Sequence, residues 1–184
     1  LCFAGYYDAC SAVGGDLYGV FELREDLLGF YMADVTGHGV SAAMVTAVLK
    51  VSIDRAKLHL LQEHSASSRV DHKAFMQELN EEVRRVTDDD KFITFQLGVF
   101  DLEHGDLTIV NAGHNKPLIW REETGACETV DPPANIAIGL LDEYDYQEHK
   151  VQLKHGDKLI VYTDGLTERG NEQQEEFGEE RLCK

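Results

Sequence analysis

The spacing of apolar residues changes twice along the chain. Residues 17–23 and 27–34 are β-prone runs joined by the charged Arg24-Glu25-Asp26, the pattern of a hairpin. After the second run the period lengthens. Val40, Ala43, Met44, Ala47, Val48 and Val51 recur at three and four residues, which predicts a helix over about 41–61. The polar, Ser-rich stretch 62–71 reads as a connection. Asp71 then stands where an N-cap belongs, before a second helix reaching about Thr87 with Phe75, Leu79, Val83 and Val86 on one face. Beyond it the pattern is that of strands, over 92–100, 107–111, 117–121, 146–153 and 158–162, and residues 1–7 read as one more. Turns fall at Glu103-His104-Gly105-Asp106, Glu123-Thr124-Gly125 and His155-Gly156-Asp157. A hairpin, two helices and a long antiparallel meander predict an α+β layered domain, not alternating βαβ units.

At 184 residues the chain suits a single domain with a real core. It starts at Leu1 within a strand-like run and stops after an acidic tract, so the domain is expected to be truncated at both ends. Acidic residues outnumber basic ones 34 to 17, for a net charge of −17. Such a surface repels phosphate backbones and anionic lipid, which argues against nucleic acid and membrane as partners. No apolar run approaches the roughly 20 residues of a membrane span. Cysteines at 2, 10, 127 and 183 form no C-x-x-C pair, and the expectation is reduced thiols in a cytoplasmic protein.

Three carboxylates share one context. Asp16 follows Gly14-Gly15 at the entry to a strand, Asp34 ends a strand before Gly37 and Gly39, and Asp164 stands in Tyr162-Thr163-Asp164-Gly165. A glycine beside a strand-end carboxylate removes side-chain bulk and lets backbone and solvent approach. Taken singly, each Asp is most simply an acceptor for backbone N–H groups or a helix cap. If the three converge, they form an oxygen-rich cage suited to hard divalent cations such as Mg²⁺ or Mn²⁺.

Five motifs occur in order: Gly14-Gly15-Asp16-Leu17-Tyr18, Ala33-Asp34-Val35-Thr36-Gly37-His38-Gly39, Asn111-Ala112-Gly113-His114, Tyr162-Thr163-Asp164-Gly165-Leu166-Thr167-Glu168 and Phe177-Gly178-Glu179-Glu180-Arg181-Leu182. The set resembles the SpoIIE/RsbU branch of the metal-dependent serine/threonine protein phosphatases of the protein phosphatase 2C type. The resemblance implies an α-β-β-α sandwich, two antiparallel sheets flanked by helices, with two Mn²⁺ or Mg²⁺ ions at one end. The ligands it implies are Asp16, Asp34, the backbone carbonyl of Val35 and Asp164. The implied reaction is hydrolysis of phosphoserine or phosphothreonine by a metal-activated water, with no covalent phospho-enzyme. The implied substrate is a phosphorylated STAS-domain protein, an anti-anti-sigma factor of bacterial partner switching. A sensor or receiver domain is expected elsewhere in the parent chain, and a homodimer is compatible with this branch.

The chain also departs from the pattern. The family's further Asp, from an Asp-Asp pair near the domain's C-terminus, has no counterpart before Lys184. Thr36 stands where eukaryotic relatives carry a His proposed as the acid for the leaving group; His38, two residues on, is the candidate catalytic residue here, against the simpler reading of a polar group at a helix start. Gly19 replaces a frequent Asp. Asn111-Ala112-Gly113-His114 is a family marker whose simplest role is a tight turn. These departures motivate the alternative of a weak or inactive module that binds a STAS partner. A nucleotide cyclase, suggested by Gly-Gly-Asp, fits poorly because Leu17-Tyr18 follows and no nucleotide loop appears.

Overall fold

A computed structural model describes residues 1–8, 14–37, 39–63, 70–87 and 91–183. Strands β1 (Leu17–Arg24) and β2 (Leu27–Val35) form the expected hairpin, closed by Glu25-Asp26, with Arg24 gripping Asp26 at 2.8 Å. Helix α1 (Val40–Glu63) follows, then α2 (His72–Val86), whose first turn is capped by Asp71 accepting from the Ala74 N–H at 3.0 Å. The remaining strands are β3 (Ile93–Asp101), β4 (Asp106–Ala112), β5 (Leu118–Arg121), β6 (Ala126–Thr129), β7 (His149–Gln152) and β8 (Lys158–Ile160). Two four-residue helices, α3 (Asp164–Thr167) and α4 (Glu179–Leu182), end the described chain.

The strands make two antiparallel sheets, β1-β2-β3-β4-β7 and β6-β5-β8. Alternation along the central strands divides the apolar residues between two cores. Tyr31, Ala33 and Val35 of β2, with Ile93, Phe95, Leu97 and Val99 of β3, share one cluster with Leu49 and Ile53 of α1 and Phe75, Met76, Leu79 and Val83 of α2. Phe30, Phe100, Leu107 and Ile109 point the other way and share the second cluster with Ile119 and Val130, against Leu159 and Val161. Burial on both faces explains why β3 reads as a nearly continuous apolar run.

Three glycines lie directly across from aromatic residues: Gly19 from Tyr31, Gly29 from Phe21 and Gly98 from Phe30. Each ring lies over its glycine, in the space a Cβ would need. The cross-strand pair thus fills the gap a glycine leaves in a sheet. Gly19 is therefore the packing partner of Tyr31, whose hydroxyl stands 2.6 Å from the position of a Cβ.

Four expectations are corrected. Residues 1–8 form no strand and are exposed, since they find no strand to pair with. β6 was not legible as a separate strand: it is four residues long, mostly exposed and at a sheet edge. The strand expected from Tyr146 starts only at His149, and Tyr146 is buried in a loop. Cys127 and Cys183 are not reduced thiols but a disulfide, because the fold brings the end of α4 onto β6 across 56 residues of sequence. Cys2 is free and exposed; Cys10 and most of the Ser-rich connection lie outside the described residues. Among the described residues, no helix is long and apolar enough to cross a membrane.

Candidate functional site

Strand register builds the site. Leu17 pairs with Ala33, so Asp16 and Asp34 come next along the two strands. Asp34 in turn pairs with Thr94 of β3. Thr94 Oγ1 lies 2.9 Å from Nδ1 of His114, which follows β4. Asp34 and Thr94 alternate with the residues of the helix-side core, so this row lies at the end of the sheet face turned toward the second sheet. The second sheet delivers the remaining candidates: β8 runs out into Tyr162 and Thr163, and Asp164 opens α3. Thr163 Oγ1 donates to Asp16 Oδ2 at 2.8 Å, joining residues 147 positions apart.

Asp34 carries the electrostatic signature of the cluster. Its carboxyl is half-buried and pushed up to about 7, first by burial, then by the charges of Asp16 and Asp164, a hydrogen bond with Asp16 and the charge of Glu168. Glu168 was not among the sequence candidates, although it ends one of the five motifs. Its signal was only that position, four residues beyond Asp164 at the end of the same short helix.

The Val35 carbonyl and the Asp34 carboxylate are approached by Gly15. A Cβ at Gly15 would stand 2.8 Å from the Val35 oxygen and 3.5 Å from Asp34 Oδ1. The same glycine's carbonyl shares the Thr46 hydroxyl of α1, at 3.1 Å, with the Ala42 carbonyl at 3.0 Å, so the helix after the Asp34 loop touches the segment bearing Asp16. Thr36 ties the end of β2 to the start of β3, since its N–H and hydroxyl both donate to the Phe92 carbonyl, at 3.1 and 2.9 Å. His38 lies outside the described residues.

The Asn111 turn forms as expected, with Asn111 Oδ1 accepting from the His114 N–H at 2.8 Å and Asn111 Nδ2 donating to the His114 carbonyl at 3.0 Å. Sequence reasoning missed the surroundings of the His114 ring. It is buried, with a pKa drawn down to about 4 by desolvation, against which the charges of Asp16 and Asp164 and the Tyr162 backbone act.

These donors fit hard divalent cations. They are all oxygen, and the Asp34 carboxyl, raised first by burial and then by the charges of Asp16 and Asp164, sits in a negative field that a cation would offset. Among the described residues, no three His, Cys, Asp or Glu side chains stand ready arranged as a metal cluster. Asp16 and Asp34 are brought together, and Asp164 is near enough for its charge to act on Asp34.

Comparison with known proteins agrees with this architecture. The family model for Stage II sporulation protein E (SpoIIE) matches residues 24–184. The phosphoserine phosphatase RsbP of Bacillus subtilis is 27% identical over 168 residues, covering 88% of this chain and 38% of the relative. The SiaA-PP2C domain of Pseudomonas aeruginosa superposes with a TM-score of 0.73 at 26% identity, over 93% of this chain and 64% of that one. A structure of RsbU and RsbW domains from Mycobacterium tuberculosis gives a TM-score of 0.71 at 25% identity, over 88% of this chain and 42% of that one. The chain thus spans about two fifths of the length of its curated relative RsbP. With the match running from the first hairpin to the last residue, the chain belongs to the SpoIIE family of PP2C-type phosphatase domains.

Proposed function

We propose that this domain hydrolyses phosphoserine or phosphothreonine on a protein substrate, using Mn²⁺ or Mg²⁺ held by Asp16, Asp34, the Val35 carbonyl and Asp164. The observation that carries the reading is the meeting of Asp16 and Asp34 at the ends of paired strands, with Thr163, next to Asp164, donating to Asp16 at 2.8 Å from the other sheet. Two such ions, when bound, supply Lewis acidity, acidifying a water and screening the charge of the incoming phosphate. The chain's own residues do the positioning. Thr163 holds Asp16 in place through one carboxylate oxygen. Gly15 leaves room beside the Val35 carbonyl. Anchoring of the Gly15 carbonyl by Thr46 keeps Asp16 next to Asp34. His38 would serve as a proton donor to the leaving oxygen.

The substrate we propose is a phosphorylated STAS-domain anti-anti-sigma factor in the cytoplasm. Support comes from the relatives, a phosphoserine phosphatase and an RsbU domain solved with an RsbW domain. A sensor or receiver domain in the parent chain, or a second copy, would control it. The test is release of inorganic phosphate from the phosphorylated STAS protein with Mn²⁺. Release is expected from the parent chain and at least 100-fold less from Asp16→Ala and Asp34→Ala; equal release from all three would refute the reading. One observation favours the alternative of a binding module with little turnover: among the described residues no three ligands stand pre-arranged. Calorimetry separates the two, since Mn²⁺ binding lost in Asp34→Ala belongs to the enzyme, and no measurable Mn²⁺ binding belongs to the module.

A further inference from the structure

His114 has a place in the site that a turn residue does not need. Its backbone is already fixed by Asn111, through the N–H at 2.8 Å and the carbonyl at 3.0 Å. The ring adds nothing to that turn. It is 7% exposed, and Nδ1 meets Thr94 Oγ1 at 2.9 Å. Among the described residues Nε2 is buried without a hydrogen-bond partner that meets full geometry, and the Tyr162 backbone is the polar neighbour that acts on the ring. A buried ring nitrogen rarely stays unpaired in a working protein. Tyr162 directly precedes Thr163, whose hydroxyl holds Asp16, and Asp164. The ring therefore stands between β3, which carries Thr94 opposite Asp34, and the backbone that delivers the third carboxylate.

We propose that His114 is a positioning residue for the Asp164 segment: Thr94 holds its Nδ1, and its Nε2–H donates to the Tyr162 carbonyl, fixing the backbone that presents Thr163 and Asp164 to Asp16 and Asp34. The proposal rests on the cation reading above. The Thr94 hydroxyl donates to Nδ1 and so leaves the proton on Nε2, which selects the tautomer. The two elements joined come from different sheets, and no backbone ladder joins β3 or β4 to β8. The ring thus does for the site what a ligand's outer hydrogen bond does in metal centres, where loss of such a partner weakens metal binding about 10- to 100-fold.

The test uses the 184-residue chain and Mn²⁺ alone. His114→Phe keeps the ring volume and removes both nitrogens, while His114→Gln keeps a side-chain donor. Calorimetry should show Mn²⁺ binding about 10- to 100-fold weaker in His114→Phe and largely restored in His114→Gln. A ring that merely fills space predicts the reverse order, and that result, or parent-like affinity in both, overturns the proposal. Should His114→Phe fail to fold, Thr94→Val and the ¹⁵N spectrum of the parent decide. Weakened Mn²⁺ binding together with an Nε2–H tautomer supports the proposal; an Nδ1–H tautomer or unchanged affinity overturns it. Mn²⁺ binding that survives Asp16→Ala and Asp34→Ala removes the cation reading and this proposal together. Binding lost in those two but intact in His114→Phe overturns this proposal alone.

Discussion

A single methyl group at Gly15 tests the site geometry most directly. In Gly15→Ala the new carbon would stand 2.8 Å from the Val35 carbonyl oxygen, about half an ångström inside ordinary contact. The oxygen has little freedom to retreat, because β2 is laddered to β1 on one side and to β3, through Val35 opposite Ile93, on the other. The segment carrying Asp16 must move instead, against the hydrogen bond from Thr46 to the Gly15 carbonyl. The segment is only partly buried, so the stability cost of this overpacking is about 1 kcal/mol, the low end for an inserted methyl. The catalytic cost is larger, because displacements of about an ångström at reacting groups cost on the order of 100-fold. Half that displacement predicts a kcat about tenfold lower on the phosphorylated substrate. Paired measurements of kcat and of urea midpoint check this. Gly170→Ala is the control, since its methyl would meet nothing closer than 3.7 Å and should change neither quantity. A Gly15→Ala chain with kcat within twofold of the parent would refute the placement of Asp16 against the end of β2.

Asp34→Asn should abolish Mn²⁺ binding and phosphate release, yet stabilise the metal-free chain at pH 8. The folded carboxyl, at about 7, lies above its unfolded value, so its ionisation opposes folding fully above pH 7 and the penalty fades as pH falls toward 4. Discounted for its half-exposure, the gain is about 1 kcal/mol, and urea titration showing Asp34→Asn less stable at pH 8 would contradict it. His114 acts in the opposite sense. Its folded pKa of about 4 lies below the unfolded value of 6.5, so stability present above pH 6.5 is lost as pH falls toward 4, by up to about 3 kcal/mol. His114→Gln should flatten that acid limb in pH-dependent melts, and an unchanged limb counts against a buried uncharged ring. The bond between Cys127 and Cys183 closes a loop of 56 residues, for which chain entropy gives about 4 kcal/mol. Reductant should lower the urea midpoint of the parent chain and leave Cys127→Ser unmoved; identical oxidised and reduced midpoints would count against the pairing.

Local pattern and tertiary arrangement decided different things about this protein. The hairpin of β1 and β2, α2 and the α+β class follow from the sequence alone, because period and turn chemistry are properties of neighbouring residues; α1 forms where expected, but of its apolar residues Val40, Met44, Val48 and Val51 face solvent, and Val45, Leu49 and Ile53 take the core face. Asp16, Asp34 and Asp164 were candidates for the same reason, each marked by a strand end and a nearby glycine turn. Failures fell where the deciding contact is remote. Residues 1–7 have strand-like composition but pair with no strand. The four residues of β6 have a partner but almost no apolar signature. Cysteine spacing could not reveal that Cys183 returns to Cys127. Register, a relation between strands that no single strand encodes, set Asp16 next to Asp34 and Thr94 beyond it. The fold likewise took the His114 ring from its own turn and buried it near Asp16 and Asp164. Side-chain identity thus chose the donors, and the packing of two sheets decided which of them meet, because carboxylates repel one another and only a core built elsewhere in the chain holds them close.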